Sequence, residues 1–158
     1  MPPETLDLLL PELAATERLA ARVAALARPG DAILLRGPLG AGKSAFARAF
    51  LRAAAADPAL EVPSPTFTLV QSYPLPGGVV AHHFDLYRLS GPSDLDELGW
   101  DEARDGVVLV EWPERLGALA PPDALELELQ PLDEHRRAAR MSGWPNRLAA
   151  LATGAPVA

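Results

Sequence analysis

The chain has 158 residues, which is the size of one ordinary domain. It contains no cysteine, which excludes disulfides, a thiol nucleophile and a Cys-ligated zinc. Its formal net charge of −7 argues against autonomous binding to a nucleic-acid backbone, and although 49% of the residues are hydrophobic, no apolar run reaches the length of a membrane span. The first residues lack the basic start of a signal peptide, so we expect a cytoplasmic protein with no membrane association.

The N-terminal segments alternate between strand-like and helix-like patterns. Leucines recur at every second position over residues 6–10, which predicts a first strand that Pro11 ends. Residues 12–27 have an apolar stripe at helical spacing, and Pro29-Gly30 stops the predicted helix. Residues 31–36 are a short apolar run, which is typical of a buried strand.

Residues 37–44 match G-x-x-x-x-G-K-[ST], the phosphate-binding P-loop, and lie between this strand and a predicted helix that ends near Asp57. The glycines let backbone N–H groups converge on an anion, Lys43 can reach the β- and γ-phosphates, and the Ser44 hydroxyl can bind Mg²⁺. The alternative is a chance glycine-rich turn, which the Lys-Ser dipeptide in register disfavours. The nucleotide-binding residues predicted here are Gly37, Leu39, Gly40, Ala41, Gly42, Lys43, Ser44 and Ala45.

The middle of the chain predicts an extended loop followed by a hairpin. Two prolines hold residues 62–68 extended, and three hydroxyl side chains crowd the same loop. Residues 69–73 and 79–85 read as strands around a Pro-Gly turn, which predicts an antiparallel hairpin. Ser93 is expected to cap a short helix that Gly99 ends.

The C-terminal part predicts three more strands and a last helix. Residues 107–110 are a β-branched run typical of a buried strand, and residues 125–130 alternate as a half-exposed strand does. Residues 136–142 are expected to pair with the latter strand, and a helix should run from about 145 to 151. We expect residues 153–158 to be a frayed tail and residues 1–158 to form a single domain.

Two acidic residues follow predicted strands, where parallel α/β sheets bind ligands. Glu111 comes after four apolar residues in a Walker-B-like pattern, so a site role is favoured for it. Asp85 also ends a strand, but a structural role as a capping or salt-bridged acid explains it equally well. Both are candidate ligands of Mg²⁺ and candidate catalytic residues together with Lys43.

Histidines and arginines have weaker signals. His82 and His83 are adjacent on a predicted strand, so at most one can face the site, and packing on the sheet is the simpler interpretation for both. Trp112 and Tyr87 are more typical of a core or an interface than of cofactor stacking. Arg88 suits a charge-neutralising role and an ordinary ion pair equally. A basic cluster is expected to be only a solvated strand edge; it comprises Arg136, Arg137 and Arg140.

Together these motifs resemble the TsaE (YjeE) family over roughly residues 6–142. The most specific are Ser-Pro-Thr-Phe-Thr-Leu-Val at 64–70 and His-Phe-Asp-Leu-Tyr-Arg-Leu at 83–89. They are accompanied by the P-loop, Glu-Leu-Gly at 97–99 and Val-Glu-Trp-Pro at 110–113. The family usually has Thr-Thr after the P-loop lysine, whereas this chain has Ser44-Ala45. The resemblance therefore leaves the metal-binding hydroxyl in place and removes the second one.

The resemblance implies a single P-loop NTPase domain of the α/β class, with a mixed parallel and antiparallel sheet flanked by helices. It implies a Mg²⁺-dependent ATPase, slow alone, that acts with a TsaB–TsaD complex in threonylcarbamoylation of adenosine 37 of tRNA. The chain would meet tRNA only indirectly, through these partners.

The resemblance also assigns roles to individual residues. Lys43 would hold phosphates, and Mg²⁺ would be surrounded by Ser44, Asp85 and Glu111, with Glu111 orienting the attacking water. Thr66 belongs to a loop, residues 64–68, that would sense the γ-phosphate. Thr16 matches a position associated with the nucleotide base, and Trp112 would lie beside the site.

Two other functions stay open at the level of the sequence. A small-molecule kinase would need a lid and an acceptor pocket, and no arginine-rich lid is evident in the sequence. A nucleotide-gated adaptor would use ATP only to order the loop at 64–68, with incidental hydrolysis.

Overall fold

A seven-stranded mixed sheet runs through the domain, which is seen in a computed structural model that describes residues 5–153. The strands are β1 (Thr5–Leu10), β2 (Ala32–Arg36), β3 (Val70–Pro74), β4 (Val80–Asp85), β5 (Val107–Glu111), β6 (Leu125–Pro131) and β7 (Arg137–Ser142). They lie in the order β1-β7-β6-β2-β5-β4-β3. β2 pairs in parallel with β5 and β6, and β4 pairs in parallel with β5, whereas β1, β3 and β7 add antiparallel pairs. The carboxyl ends of the four parallel strands therefore meet at one edge.

Helices cover both faces of this sheet. The α-helices are α1 (Leu13–Leu26), α2 (Lys43–Ala54), α3 (Trp100–Ala103) and α4 (Pro145–Thr153). Short 3₁₀ helices span Pro76–Gly78, Pro92–Leu98 and Pro113–Leu119. No helix in residues 5–153 is both long enough and apolar enough to cross a bilayer.

The central strand β2 divides the core in two because successive side chains of a strand point to opposite faces. Ile33 and Leu35 pack with residues of α1, α2 and α4, including Phe46. Ala32 and Leu34 belong to a separate cluster on the other side of the sheet. Being buried on both faces, β2 holds the P-loop that follows it on a rigid support.

The second core is built under α3 and the 3₁₀ helices. Phe84 of β4 contacts Trp100 of α3 edge to face, with ring centroids 5.1 Å apart and planes at 74°. Leu95 and Leu116, from two different 3₁₀ helices, are fully buried in the same cluster. These short elements therefore fasten the segments that follow β4 and β5.

The sequence predictions for the main elements are confirmed, including the β3–β4 hairpin and the pairing of β6 with β7. The predicted cap at Ser93 is wrong: the segment is a 3₁₀ helix whose N-terminal flanking residue is Gly91, and it has no side-chain cap. Gly99 ends this helix with a left-handed φ of 74°, as expected. The predicted tail begins at Thr153, which is instead the last residue of α4, and residues 154–158 lie outside the described residues.

Candidate functional site

A cleft of about 290 Å³ opens where the carboxyl ends of β2, β4 and β5 meet the start of α2. Its lining residues are Leu39, Gly40, Ala41, Gly42, Lys43, Ser44, Ala45, Ser64, Thr66, Asp85, Glu111 and Trp112. Of the residues predicted for the site, only Gly37 and Thr16 lie outside this lining. The fold thus brings together a P-loop, a hydroxyl-rich loop and two strand-end carboxylates that are distant in the sequence.

The P-loop turns sharply between β2 and α2. Gly42 has a φ of 105° just before the helix, a conformation that residues with a Cβ rarely adopt. The helical hydrogen bonds begin with Phe46 N donating to Gly42 O at 2.9 Å. The N–H groups of Lys43, Ser44 and Ala45 therefore precede these bonds and lie at the positive end of the α2 dipole. This arrangement suits an anion such as a phosphate.

Lys43 is 5% exposed and lies at the first position of α2. Its Nζ donates to Gly37 O and lies 3.5 Å from the centroid of the Trp112 ring. Burial lowers the pKa of the Lys43 ammonium, against the opposing attraction of Glu111, Glu114 and Asp85. The lysine is thus held beside the cleft by a carbonyl oxygen and an aromatic face, with carboxylates near enough to favour its charged form.

The two candidate carboxylates are neighbours across a parallel strand pair. Asp85 of β4 is in register with Glu111 of β5, and the two residues are 5% and 2% exposed. Ser44 Oγ donates to Glu111 Oε1 at 3.2 Å. The structure thereby joins the P-loop hydroxyl directly to the acid that follows the Walker-B-like strand.

Asp85 is tied to the hydroxyl-rich loop. Thr66 Oγ1 donates to Asp85 Oδ2 at 3.3 Å, and Ser64 Oγ lies 2.8 Å from Thr66 Oγ1. The backbone N–H of Tyr87 donates to the other oxygen, Oδ1, at 3.1 Å. Asp85 is therefore buried and not at the surface, and its bond from the Tyr87 N–H is a local capping contact, the structural role that the sequence left open beside a site role.

The oxygen ligands of the cleft suit Mg²⁺, which needs few protein ligands, better than they suit a metal ion bound by protein side chains alone. Across residues 5–153, no three His, Asp or Glu side chains are grouped closely enough to hold a metal by themselves. Ser44, Asp85 and Glu111 offer hydroxyl and carboxylate oxygens, the hard ligands that Mg²⁺ prefers. Because Mg²⁺ usually keeps waters and binds substrate phosphates, few protein ligands are sufficient.

Thr16 lies in a second cavity, of about 170 Å³, on the other side of the P-loop. Gly42 and Ala45 line it from the P-loop side, and Arg137 of β7 lines it from the sheet. Thr16 is 4% exposed and therefore almost fully buried in α1. Thr16 thus shares a cavity with two P-loop residues, and its place beside a nucleotide base stays a prediction.

Arg137 departs from the prediction of a solvated strand edge. Its Nε donates to Ala41 O at 3.1 Å and its NH2 group donates to Gly40 O at 3.3 Å, so it holds the P-loop backbone. The other two arginines form exposed ion pairs, Arg136 with Asp133 and Arg140 with Asp7. No local pattern marks Arg137, because its contact depends on the β6–β7 hairpin returning to the loop.

His83 is the other residue whose role was predicted wrongly. Its Nε2 lies 2.7 Å from Glu111 Oε2, and both side chains are buried. His82 points to the opposite face, where its Nδ1 lies 2.7 Å from Ser72 Oγ. The prediction that at most one histidine faces the site is confirmed, but simple packing on the sheet does not describe His83.

Trp112 lines the cleft, and two other aromatic rings, those of Tyr87 and Phe67, belong to neighbouring segments. Trp112 lies 4.9 Å from the Tyr87 ring, centroid to centroid. The Arg88 guanidinium stacks on Phe67, 4.8 Å from the ring centroid, and Phe67 itself is 81% exposed. Trp112 therefore lies at the site, whereas Arg88 contacts an aromatic ring of the hydroxyl-rich loop itself.

Comparison with known proteins identifies the family. The family profile described as threonylcarbamoyl adenosine biosynthesis protein TsaE matches residues 10–139. The chain belongs to the TsaE family. Its members take part in tRNA threonylcarbamoyladenosine biosynthesis, which agrees with the resemblance seen in the sequence motifs.

Individual TsaE relatives match over most of their length. The Rickettsia felis protein is 39% identical over 123 residues, which are 77% of this chain and 71% of that protein. The Aquifex aeolicus protein is 37% identical over 126 residues, covering 80% and 87% of the two chains. Both carry the name tRNA threonylcarbamoyladenosine biosynthesis protein TsaE.

A solved structure has the same fold. The crystal structure of Bacillus subtilis YdiB superposes with a TM-score of 0.73 at 28% sequence identity, covering 98% of this chain and 95% of that one. The fold is therefore shared with that crystal structure over nearly the whole chain.

Proposed function

We propose that this TsaE-family chain is a Mg²⁺-dependent ATP hydrolase that acts with a TsaB–TsaD complex in the threonylcarbamoylation of adenosine 37 of tRNA in the cytoplasm. The observation that carries the hydrolase proposal is the buried Glu111 carboxylate, bonded to the P-loop hydroxyl of Ser44. A carboxylate at this point could hold Mg²⁺ and orient the attacking water, which hydrolysis requires in addition to phosphate binding.

Each residue of the cleft has a role in this proposal. Backbone N–H groups of residues 40–45 and the ammonium of Lys43 bind the phosphates, once Lys43 leaves Gly37 O and the Trp112 ring. Ser44, Asp85 and Glu111 hold Mg²⁺, which neutralises charge on the phosphate oxygens when it is bound. Glu111 orients the water that attacks the γ-phosphate, and Thr16 lies beside the base.

Slow turnover of the chain alone is part of the proposal. Among the described residues, no arginine lines the cleft, so no side chain is placed as an arginine finger. Arg137 contacts the P-loop from the neighbouring cavity, and its guanidinium already donates to five backbone carbonyl oxygens, two of them those of Gly40 and Ala41. A partner that supplied or exposed such charge would raise the rate.

The test combines two readouts in one mixture. The purified chain is assayed for ATP hydrolysis alone and with the TsaB–TsaD pair, and modification of a substrate tRNA is measured in the same samples. We expect weak hydrolysis alone, stimulation by the pair, and repeated rounds of modification only with hydrolysable ATP. Rapid hydrolysis by the chain alone, unchanged by the pair, would contradict the proposal.

One specific contact favours a nucleotide-gated adaptor as the second candidate. The Thr66–Asp85 hydrogen bond connects the exposed loop to the cleft, so occupancy of the cleft can reorder that loop without hydrolysis. Full support of repeated modification by a non-hydrolysable ATP analogue would favour this function. Membership of the TsaE family gives no support to the small-molecule kinase.

A further inference from the structure

Within residues 5–153, the Glu111 carboxylate has two hydrogen-bond partners, Ser44 of the P-loop and His83 of β4. The His83 side chain is 2% exposed and its Nε2 lies 2.7 Å from Glu111 Oε2. Its other ring nitrogen, Nδ1, is buried and finds no hydrogen-bond partner within residues 5–153. The ring thus makes a single polar contact, and that contact is to the carboxylate.

Glu111 is held at both oxygens as a result. Ser44 Oγ donates to Oε1 at 3.2 Å, while His83 lies against Oε2. We assign the ring proton of this contact to Nε2, which then donates to the carboxylate oxygen. The two donors approach from different elements, α2 and β4, and so fix the plane of the carboxylate.

We propose that His83 is a positioning residue for Glu111, which keeps Oε1 turned to the P-loop by binding Oε2. This inference rests on the proposed function, in which Glu111 acts on Mg²⁺ and water. The terminal torsion of a glutamate is broad, so the side chain itself does not select one orientation. Without the imidazole donor, a buried carboxylate oxygen loses its partner and the group can turn away from Ser44.

The chain contains a matched control at the adjacent residue. His82 lies on the same strand but points to the opposite face, where its Nδ1 meets Ser72 Oγ. Burial lowers the pKa of His82, so this imidazole is also partly desolvated. Replacing His82 therefore tests loss of a histidine from β4 without touching Glu111.

The informative comparison is between His83→Gln and His83→Met. Glutamine can place an amide N–H near the Nε2 position, whereas methionine has a similar length and no donor. ATP hydrolysis gives kcat and KM, and equilibrium binding gives the Kd of ADP with and without Mg²⁺. Thermal unfolding checks that each variant is folded; if His83→Met is not, His83→Phe replaces it as the donor-free variant.

We expect kcat of His83→Met to fall about 10–100-fold with KM changed less than about threefold, as is usual when the partner of a metal-site ligand is lost. The gain in ADP affinity on adding Mg²⁺ should shrink in His83→Met and be retained in His83→Gln. ADP binding without Mg²⁺ should stay the same in all variants, and His82→Met should behave as the wild type.

Two results would overturn the inference. One is a folded donor-free variant with wild-type kcat and a wild-type Mg²⁺ effect on ADP binding. The other is an equal loss in His83→Gln and His83→Met, since the donor would then not matter. A Glu111→Gln variant separates this failure from that of the proposed function: if it hydrolyses ATP normally, the hydrolase proposal itself is wrong.

Discussion

The first P-loop glycine offers the sharpest test of how the sheet and the nucleotide loop fit together. Gly37 has a φ of 146°, and a Cβ built there would lie 2.5 Å from the backbone O of Leu129 in β6 and 3.0 Å from Ala41 Cβ. The first of these neighbours is backbone, so it cannot give way as a flexible side chain would. The Gly37→Ala protein must therefore shift the loop or the strand.

The Gly37→Ala substitution destabilises the fold in two ways, by backbone strain at a positive φ and by overpacking against β6 and Ala41. Backbone strain and overpacking each cost about 1–3 kcal/mol, and we take about 3 kcal/mol for Gly37→Ala. Gly40 is the matched control, because its φ is 80° but a Cβ there would meet nothing within 4 Å. Gly40→Ala should cost only the left-handed conformation, about 1 kcal/mol.

Thermal unfolding of the nucleotide-free protein measures the destabilisation caused by each of the two substitutions. For a domain of this length about 1 kcal/mol corresponds to about 2–4 °C, so Tm should fall by about 6–12 °C in Gly37→Ala and about 2–4 °C in Gly40→Ala. Equal shifts in the two variants, or an unchanged Tm in Gly37→Ala, would refute the close packing of the P-loop on β6.

Three further predictions concern the cations. Arg147→Met should destabilise the fold by about 1.5–3 kcal/mol in urea unfolding, because Arg147 donates to both carboxylate oxygens of Asp31 at 2.6 and 3.1 Å; an unchanged free energy of unfolding would refute the contact. Arg137→Met should weaken ATP binding about tenfold by loosening the P-loop, which corresponds to about 1.4 kcal/mol, whereas Arg136→Met should not; equal effects on the Kd would contradict this assignment. Burial lowers the pKa of Lys43 from its ordinary 10.5, so the unfolded state binds more protons at this residue than the folded state does. The free energy of unfolding of the wild type relative to that of Lys43→Met should therefore rise as the pH increases toward 10.5. A flat or falling difference in urea unfolding would show that the ammonium is not desolvated.

The P-loop, the acid at the end of β5 and the β3–β4 hairpin could be predicted because short stretches of sequence specify each of them. The buried run before Gly37 and the helix-forming run after Ser44 define the P-loop without reference to the rest of the chain. The acid at Glu111 was visible because it directly follows an uninterrupted apolar strand. The hairpin of β3 and β4 was marked by its Pro-Gly turn.

Contacts between distant segments were not predictable in the same way. The His83–Glu111 bond depends on the parallel register of β4 and β5, which no short stretch of sequence specifies. Arg137 reaches the P-loop only because β7 returns antiparallel to β6. The sequence shows that a histidine and an arginine stand at these positions, but the order of strands in the sheet determines which residues they contact.

Short helical segments were also missed. The four residues of α3 and the 3₁₀ helix after Trp112 are too brief for a helical period to show in the sequence. Trp112 has a φ of 59°, which local propensity gives no reason to expect for a tryptophan. Its ring lies against Lys43 and Tyr87 because the chain turns abruptly after β5.

The most direct test of the hydrolase proposal is a Glu111→Gln variant assayed with the TsaB–TsaD pair, ATP and substrate tRNA. Glutamine keeps the shape of the side chain, so ATP binding without Mg²⁺ should stay within about threefold of the wild type, while hydrolysis falls by at least about 100-fold. Repeated rounds of tRNA modification should stop with it. A Glu111→Gln protein that binds ATP, does not hydrolyse it and still supports repeated modification would contradict the account.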